Sequence, residues 1–178
     1  MTIEPLDSVE DIAFKVCPAM HKAGVTVVLS GGGAATIYAP NAHQTRDLDF
    51  VLPFAISAPS ASPIAALGFF ATKSRGIYGH PNTAYTLEFL DGPLAVGDDV
   101  VVRWETRRKG GVILHLISAT DCVRDRLAAA IHWNDLNSAR QAAEVAKLHS
   151  VDLALVQTWC VREGGGEKFE LFLRMLET

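Results

Sequence analysis

The 178-residue chain has few cysteines, few aromatics and no surplus of positive charge. Cys17, Cys122 and Cys160 are odd in number and far apart, which argues against a disulfide framework and against a zinc motif of the C-x-x-C kind. They read as buried free thiols. Sixteen Lys and Arg against twenty Asp and Glu leave a formal charge of −4, which disfavours broad, sequence-independent binding to nucleic acid. A small substrate or a protein is the more natural partner. No run approaches the roughly 20 uncharged apolar residues that cross a bilayer, and the first residues, MTIEPLDSVED, are acidic where a signal peptide is basic. A cytoplasmic protein with no membrane partner is expected. There is no G-x-x-x-x-G-K-[ST], no G-x-S-x-G and no H-E-x-x-H among the six histidines, so a P-loop, a serine elbow and a zincin site are set aside.

With 49% hydrophobic and 20% charged residues, the composition is that of an ordinary globular protein. Apolar residues recur at helical spacing from Ser8 to Lys22, with Asp7 or Ser8 as cap and Pro18 as a bend. Val25 to Ser30 is β-branched and nearly uncharged, as in a strand buried on both faces. A short helix is expected from Ala34 to about Ala39, stopped by Pro40, and a second strand at Leu48 to Leu52. Ala55 to Pro63 reads as a loop before a brief helix at Ile64 to Leu67, and Phe69 to Thr83 as a strand fragment with a loop. TAYTLEFL, Thr83 to Leu90, alternates as a strand does, with Tyr85, Leu87 and Phe89 on one face. Two more strands are expected at Val100 to Trp104 and Val112 to Ile117, joined by the basic turn ETRRKGG. After Ser118 the pattern becomes helical: SATD has capping-box spacing, and further helices are expected near Ser138 to His149, Leu153 to Arg162 and Glu167 to Leu176. The division expected is an α/β core over residues 1–118 and a helical subdomain over 119–178 packed on it.

The chemistry concentrates in VLSGGGAATIYAPNAHQTRDLDFVL, Val28 to Leu52. Residues two apart on a strand share a face, so Asp47 and Asp49 can aim at one point while Leu48 and Phe50 pack behind. Two carboxylates on one face repel, and a hard divalent cation with oxygen ligands relieves them. Magnesium is the first choice, manganese the alternative. Glu88, the one acid inside the Thr83 to Leu90 pattern, is the candidate third ligand and the candidate proton acceptor. Gly31, Gly32 and Gly33 stand between a buried strand and a helix start, where bare backbone N–H groups and the helix dipole can receive phosphate oxygens. Ser30 can add a hydroxyl.

These residues resemble the nucleotidyltransferase superfamily with the DNA polymerase β-like fold, in its minimal form. The matching positions are Gly32 and Gly33 (or Gly31 and Gly32), Asp47 and Asp49, and Glu88 by strand order. The T-x-D-x-D wording, Thr45 to Asp49, is similar to bacterial members associated with toxin-antitoxin and abortive-infection systems. DRLAAAIHWND resembles the helix after the core in such proteins, with Arg126 where a basic residue faces the nucleotide. The resemblance spans about residues 8 to 135. It implies an α+β fold, a mixed sheet flanked by helices and followed by a helical C-terminal part. It also implies transfer of a nucleoside monophosphate from a triphosphate such as ATP to a hydroxyl on an RNA, a protein or a small molecule. Asp47, Asp49 and Glu88 would be the catalytic and metal-binding residues; Ser30, Gly31, Gly32, Gly33 and Arg126 would bind the nucleotide. A glycine triplet in place of Gly-Ser, and Glu88 in place of aspartate, depart from the family pattern and support an alternative: a catalytically silent member that binds nucleotide or a partner protein as a regulator.

Other basic residues divide by helix phase and loop position. Arg124 and Arg126 lie two apart on a helix and cannot share a face; the resemblance gives the phosphate to Arg126, and a solvated helix face is the alternative reading of both. Arg103, Arg107, Arg108 and Lys109 read as a charged hairpin tip. Trp104, Trp133 and Trp159 read as core or interface.

Overall fold

The computed structural model describes residues 1–42, 45–54 and 62–178. The expected loop at Ala55 to Pro63 falls for the most part outside the described residues. Helix α1 (Val9–Lys22) starts at a capping box in which the Ser8 hydroxyl accepts the Asp11 N–H and Asp11 reaches back to the Ser8 N–H. It runs on through Pro18 to Lys22, with Val9, Ile12, Ala13, Val16 and Met20 buried along one stripe.

Strand β1 (Val28–Ser30) passes directly into α2 (Gly31–Tyr38), so the three glycines form the first turn of the helix rather than a loop ahead of it. The first N–H groups of a helix have no partner inside it, so glycine costs little there, and Gly31 at φ +62° supplies the left-handed bend from strand to helix. Pro40 follows the last turn. Strand β2 (Asp47–Val51) runs antiparallel to β1, with Ser30 opposite Asp49. After α3 (Ser62–Ala65), the expected strand fragment is a pair of short antiparallel strands, β3 (Phe70–Ala71) and β4 (Ile77–His80). Strand β5 (Thr83–Leu90) lies parallel to β2, with Asp47 opposite Thr86 and Asp49 opposite Glu88.

A small pair, β6 (Ala95–Val96) and β7 (Asp99–Val100), stands apart from the main sheet. The strand expected at Val100 to Trp104 is displaced: β8 is Glu105–Lys109, the segment read from sequence as a basic turn. Gly110 and Gly111, at φ +54° and +79°, make a two-residue turn into β9 (Val112–Leu116), and a turn that tight carries the ladder back to Glu105. The seven-stranded sheet has the order β3-β4-β5-β2-β1-β9-β8, with β8 at an edge where its charged side chains deter further pairing.

Four helices follow: α4 (Ala119–Trp133), α5 (Leu136–Leu148), α6 (Leu153–Arg162) and α7 (Gly166–Leu176). Ser118 caps α4, Asp135 caps α5 and Asp152 caps α6. Helix α4 packs on α2, α5 and α6, which ties the helical half to the sheet. The fold is thus α+β, a mixed sheet flanked by helices with a helical C-terminal region. One face of the sheet is apolar: Leu29, Leu48, Phe50 and Leu87 are fully buried, and Phe50 stacks on Phe89 at 5.6 Å. Among the described residues, no helix is long and apolar enough to cross a membrane.

Tyr38, at the end of α2, closes the core against the far strands. Its hydroxyl lies 2.7 Å from the Ile117 carbonyl and 2.8 Å from a Glu105 carboxylate oxygen, and the Arg107 guanidinium covers its ring. Phenylalanine at position 38 keeps the ring and removes the one hydroxyl proton that the buried Ile117 carbonyl and the partly exposed Glu105 carboxylate compete for. A loss of about 1–2 kcal/mol in urea unfolding is expected, with an unchanged m-value.

Candidate functional site

The face of the sheet opposite the apolar one carries the acids. Because β2 and β5 are parallel and in register, Asp47, Asp49, Thr86 and Glu88 project to the same side. They line a cleft of about 370 Å³ together with Gly32, Thr45, Ile77, Arg126, Asp135, Asn137, Ser138 and Gln141. The floor is sheet, and the opposing wall is α4 and the first turns of α5.

Asp49 is the most perturbed group here. Burial, then the Glu88 carboxylate, push its carboxyl up to about 6, with Asp47 and Asp125 adding to the rise and Arg126 opposing it. Asp47 is exposed, and one of its oxygens accepts the Thr86 hydroxyl at 2.6 Å. Negative charge on this floor is therefore incompletely balanced by the protein itself. Oxygen-only donors in excess of nearby cationic charge fit a hard divalent ion in their chemistry. Among the described residues, however, no three His, Cys, Asp or Glu groups are already close enough together to hold one.

The glycines divide their roles. Gly32 lines the cleft, and a Cβ on it would touch Thr45 at 3.0 Å. Gly31 admits the Asp49 carboxylate: a Cβ there would lie 2.4 Å from Asp49 Oδ2. Gly33 instead packs beside Leu29 and the Asp47 backbone, away from the opening. Ser30 is buried and turns its hydroxyl to the Asp49 carbonyl at 3.4 Å, inside the β1-β2 pair. It makes no side-chain cap for α2.

Arg126 reaches the cleft from α4. Burial works against its charge, but the Asp125 carboxylate, with Cys122 and Asp49 adding to it, leaves its pKa raised. Arg124, two residues earlier, turns the other way: it pairs with Asp99 and Asp121 and lies 5.2 Å over the Trp159 ring. The sequence pattern starts that helix at Ser138 and marks none of the wall residues Asp135, Asn137, Ser138 and Gln141 for the site. The available signal was the polar spacing of Asn137 and Gln141, four apart on a helix whose other face is alanine-rich. Nothing in the sequence places that stripe opposite β2.

No protein-family model matches the chain, and no curated protein matches its sequence. Among solved structures, the solution structure of the antibiotic-resistance factor ANT(2'')-Ia is similar, with a TM-score of 0.47 and 13% identity over 89% of this chain and 85% of that one. A likeness that distant says nothing about what this chain binds or transforms.

Proposed function

We propose that the protein is a metal-dependent nucleotidyltransferase, moving a nucleoside monophosphate from a nucleoside triphosphate to a hydroxyl on an RNA, a protein or a small molecule. The observation that carries this reading is the register of β2 and β5, which sets Asp49 opposite Glu88 and places Asp47, Asp49 and Glu88 in one cleft beside Gly32 and Arg126. Asp47 and Asp49 would hold a magnesium or manganese ion, with Glu88 as third ligand. Such an ion, when bound, draws charge from the phosphate oxygens and from the leaving pyrophosphate. Glu88 takes the proton of the acceptor hydroxyl. That oxygen forms its bond to the α-phosphorus as the bond from the α-phosphorus to the bridging oxygen breaks, and pyrophosphate leaves. Arg126 and the N–H groups at the start of α2 hold phosphate oxygens, and the raised Asp49 carboxyl would release its proton to solvent where a cation is bound.

The test is incubation with labelled ATP, CTP, GTP or UTP, magnesium and candidate acceptors. Label transfer by the wild type and its loss in the Asp47→Ala, Asp49→Ala double variant are expected. Transfer that survives the double substitution removes the mechanism. The glycine triplet in place of Gly-Ser, and Glu88 in place of aspartate, favour one second reading, a regulator that binds nucleotide without turnover. Calorimetry with a triphosphate, with and without magnesium, separates the two: affinity without label transfer supports the regulator.

A further inference from the structure

Arg126 could pair with the acids on the cleft floor, where it would hold the very carboxylates a cation needs. It does not. Its Nε and Nη2 both donate to Asp125 Oδ2, at 3.0 and 2.7 Å, and its Nη1 lies 3.4 Å from the Ser138 hydroxyl. Ser138 is itself buried, and its hydroxyl proton goes to Asp135 Oδ2 at 2.7 Å, which leaves its lone pairs facing the guanidinium. Asp135 is anchored in turn as the cap of α5, accepting the Asn137 and Ser138 N–H groups. Hydrogen bonds to Ser138 hold its carboxyl below the ordinary range, so it stays ionised. A chain of polar contacts thus runs from the start of α5 to the arginine of α4, and Asp125 grips the arginine from outside the cleft lining.

We infer that Ser138 and Asp125 are positioning residues that hold the Arg126 guanidinium across the cleft from Asp49, so that its free N–H groups meet the phosphates of a bound nucleoside triphosphate. The inference rests on the nucleotidyl-transfer reading above. Two tethers on different helices fix a fork whose five donors have a set geometry, and a fixed fork loses less freedom when it meets phosphate. Neither tether needs to touch the substrate. Removing either leaves Arg126 to swing onto the floor carboxylates, which weakens the site twice over: a phosphate contact is lost and a cation ligand is occupied.

The experiment is calorimetric titration of a non-hydrolysable triphosphate with magnesium into wild type, Ser138→Ala, Asp125→Asn, Arg126→Ala and the Ser138→Ala, Arg126→Ala double variant. Ser138→Ala keeps the Asp135 cap of α5, because the backbone N–H donors remain, so the fold is expected to survive. Expected losses of affinity are on the order of a hundredfold for Arg126→Ala and about tenfold for each tether variant. Ser138→Ala should cost nothing further once Arg126 is gone, a coupling that a general structural role does not produce. Equal losses from Ser138→Ala in the presence and absence of Arg126, or wild-type affinity in both tether variants, overturn the positioning role and leave nucleotide binding standing. No binding by the wild type overturns the reading of the site itself, and the inference with it.

Discussion

Asparagine at position 49 is expected to cut nucleotidyl transfer severely while making the folded protein more stable at neutral pH. The carboxyl of Asp49 is raised to about 6 by burial, by Glu88 and by Asp47, so the folded state favours its protonated form. For a group lifted in this direction, the stabilising contribution is whole below the ordinary carboxylate range and drains away as pH climbs to about 6. Above that, an ionised Asp49 is carried at a cost of about 2 kcal/mol, reduced from the full shift because the group is incompletely buried. The Asp49→Asn substitution removes the charge and keeps the size. The variant's melting temperature should match the wild type near about pH 4, rise above it through about pH 6 and stay above it at higher pH. Magnesium should reverse the order. At about pH 7.5 the ion should raise the melting temperature of the wild type and leave Asp49→Asn unmoved, and the rise should shrink near about pH 5, where protons compete for the carboxylate. Transfer should fall on the order of a thousandfold. Equal stability of the two proteins at every pH would show that Asp49 is not held in the environment described here.

Alanine at position 31 is expected to damage stability and site together. At φ +62° the backbone is in the left-handed region, which costs an L-residue with a Cβ about 1–2 kcal/mol wherever it stands. The new methyl would also start 2.4 Å from Asp49 Oδ2, so the carboxylate must rotate out of its place. A displacement of that kind is expected to lower transfer about a hundredfold. The control is Gly33→Ala: that residue has no positive φ, and its nearest neighbour is a Leu29 methyl, so its effect should be confined to modest repacking. Chemical denaturation and the transfer assay on both variants make the comparison. Equal activity in Gly31→Ala and wild type would mean that the close approach of strand and helix start has no part in the reaction.

Local rules carried much of the fold. The cap at Ser8, the alternation over Thr83–Leu90 and the helix start at Ser118 each depend on neighbours within a few residues, and each has its counterpart in the structure. Failure came where a longer-range partner decided. ETRRK reads as a turn because it is charged, yet an edge strand tolerates charge on its open side, and the Gly110-Gly111 turn pairs it with β9. The glycines read as a loop because glycine weakens helix interiors, a penalty that hardly applies to a first turn.

The candidate site divides in the same way. That Asp47 and Asp49 share a face follows from the two-residue period of a strand, which any short segment possesses. Which acid stands beside them depends on the register of β2 against β5, two segments some forty residues apart, and which helix covers them depends on how α4 and α5 pack. The amino-acid sequence by itself determined the helix caps, the alternation of the strands and the acid pair on one face, because those properties arise within a turn or a pleat. The tertiary structure alone decided that Ser138, Asp135 and Gln141 face the acids, that Arg124 turns into the protein and that Arg126 is tied to Asp125. Those outcomes depend on the packing of elements distant in the chain, where no local pattern reaches.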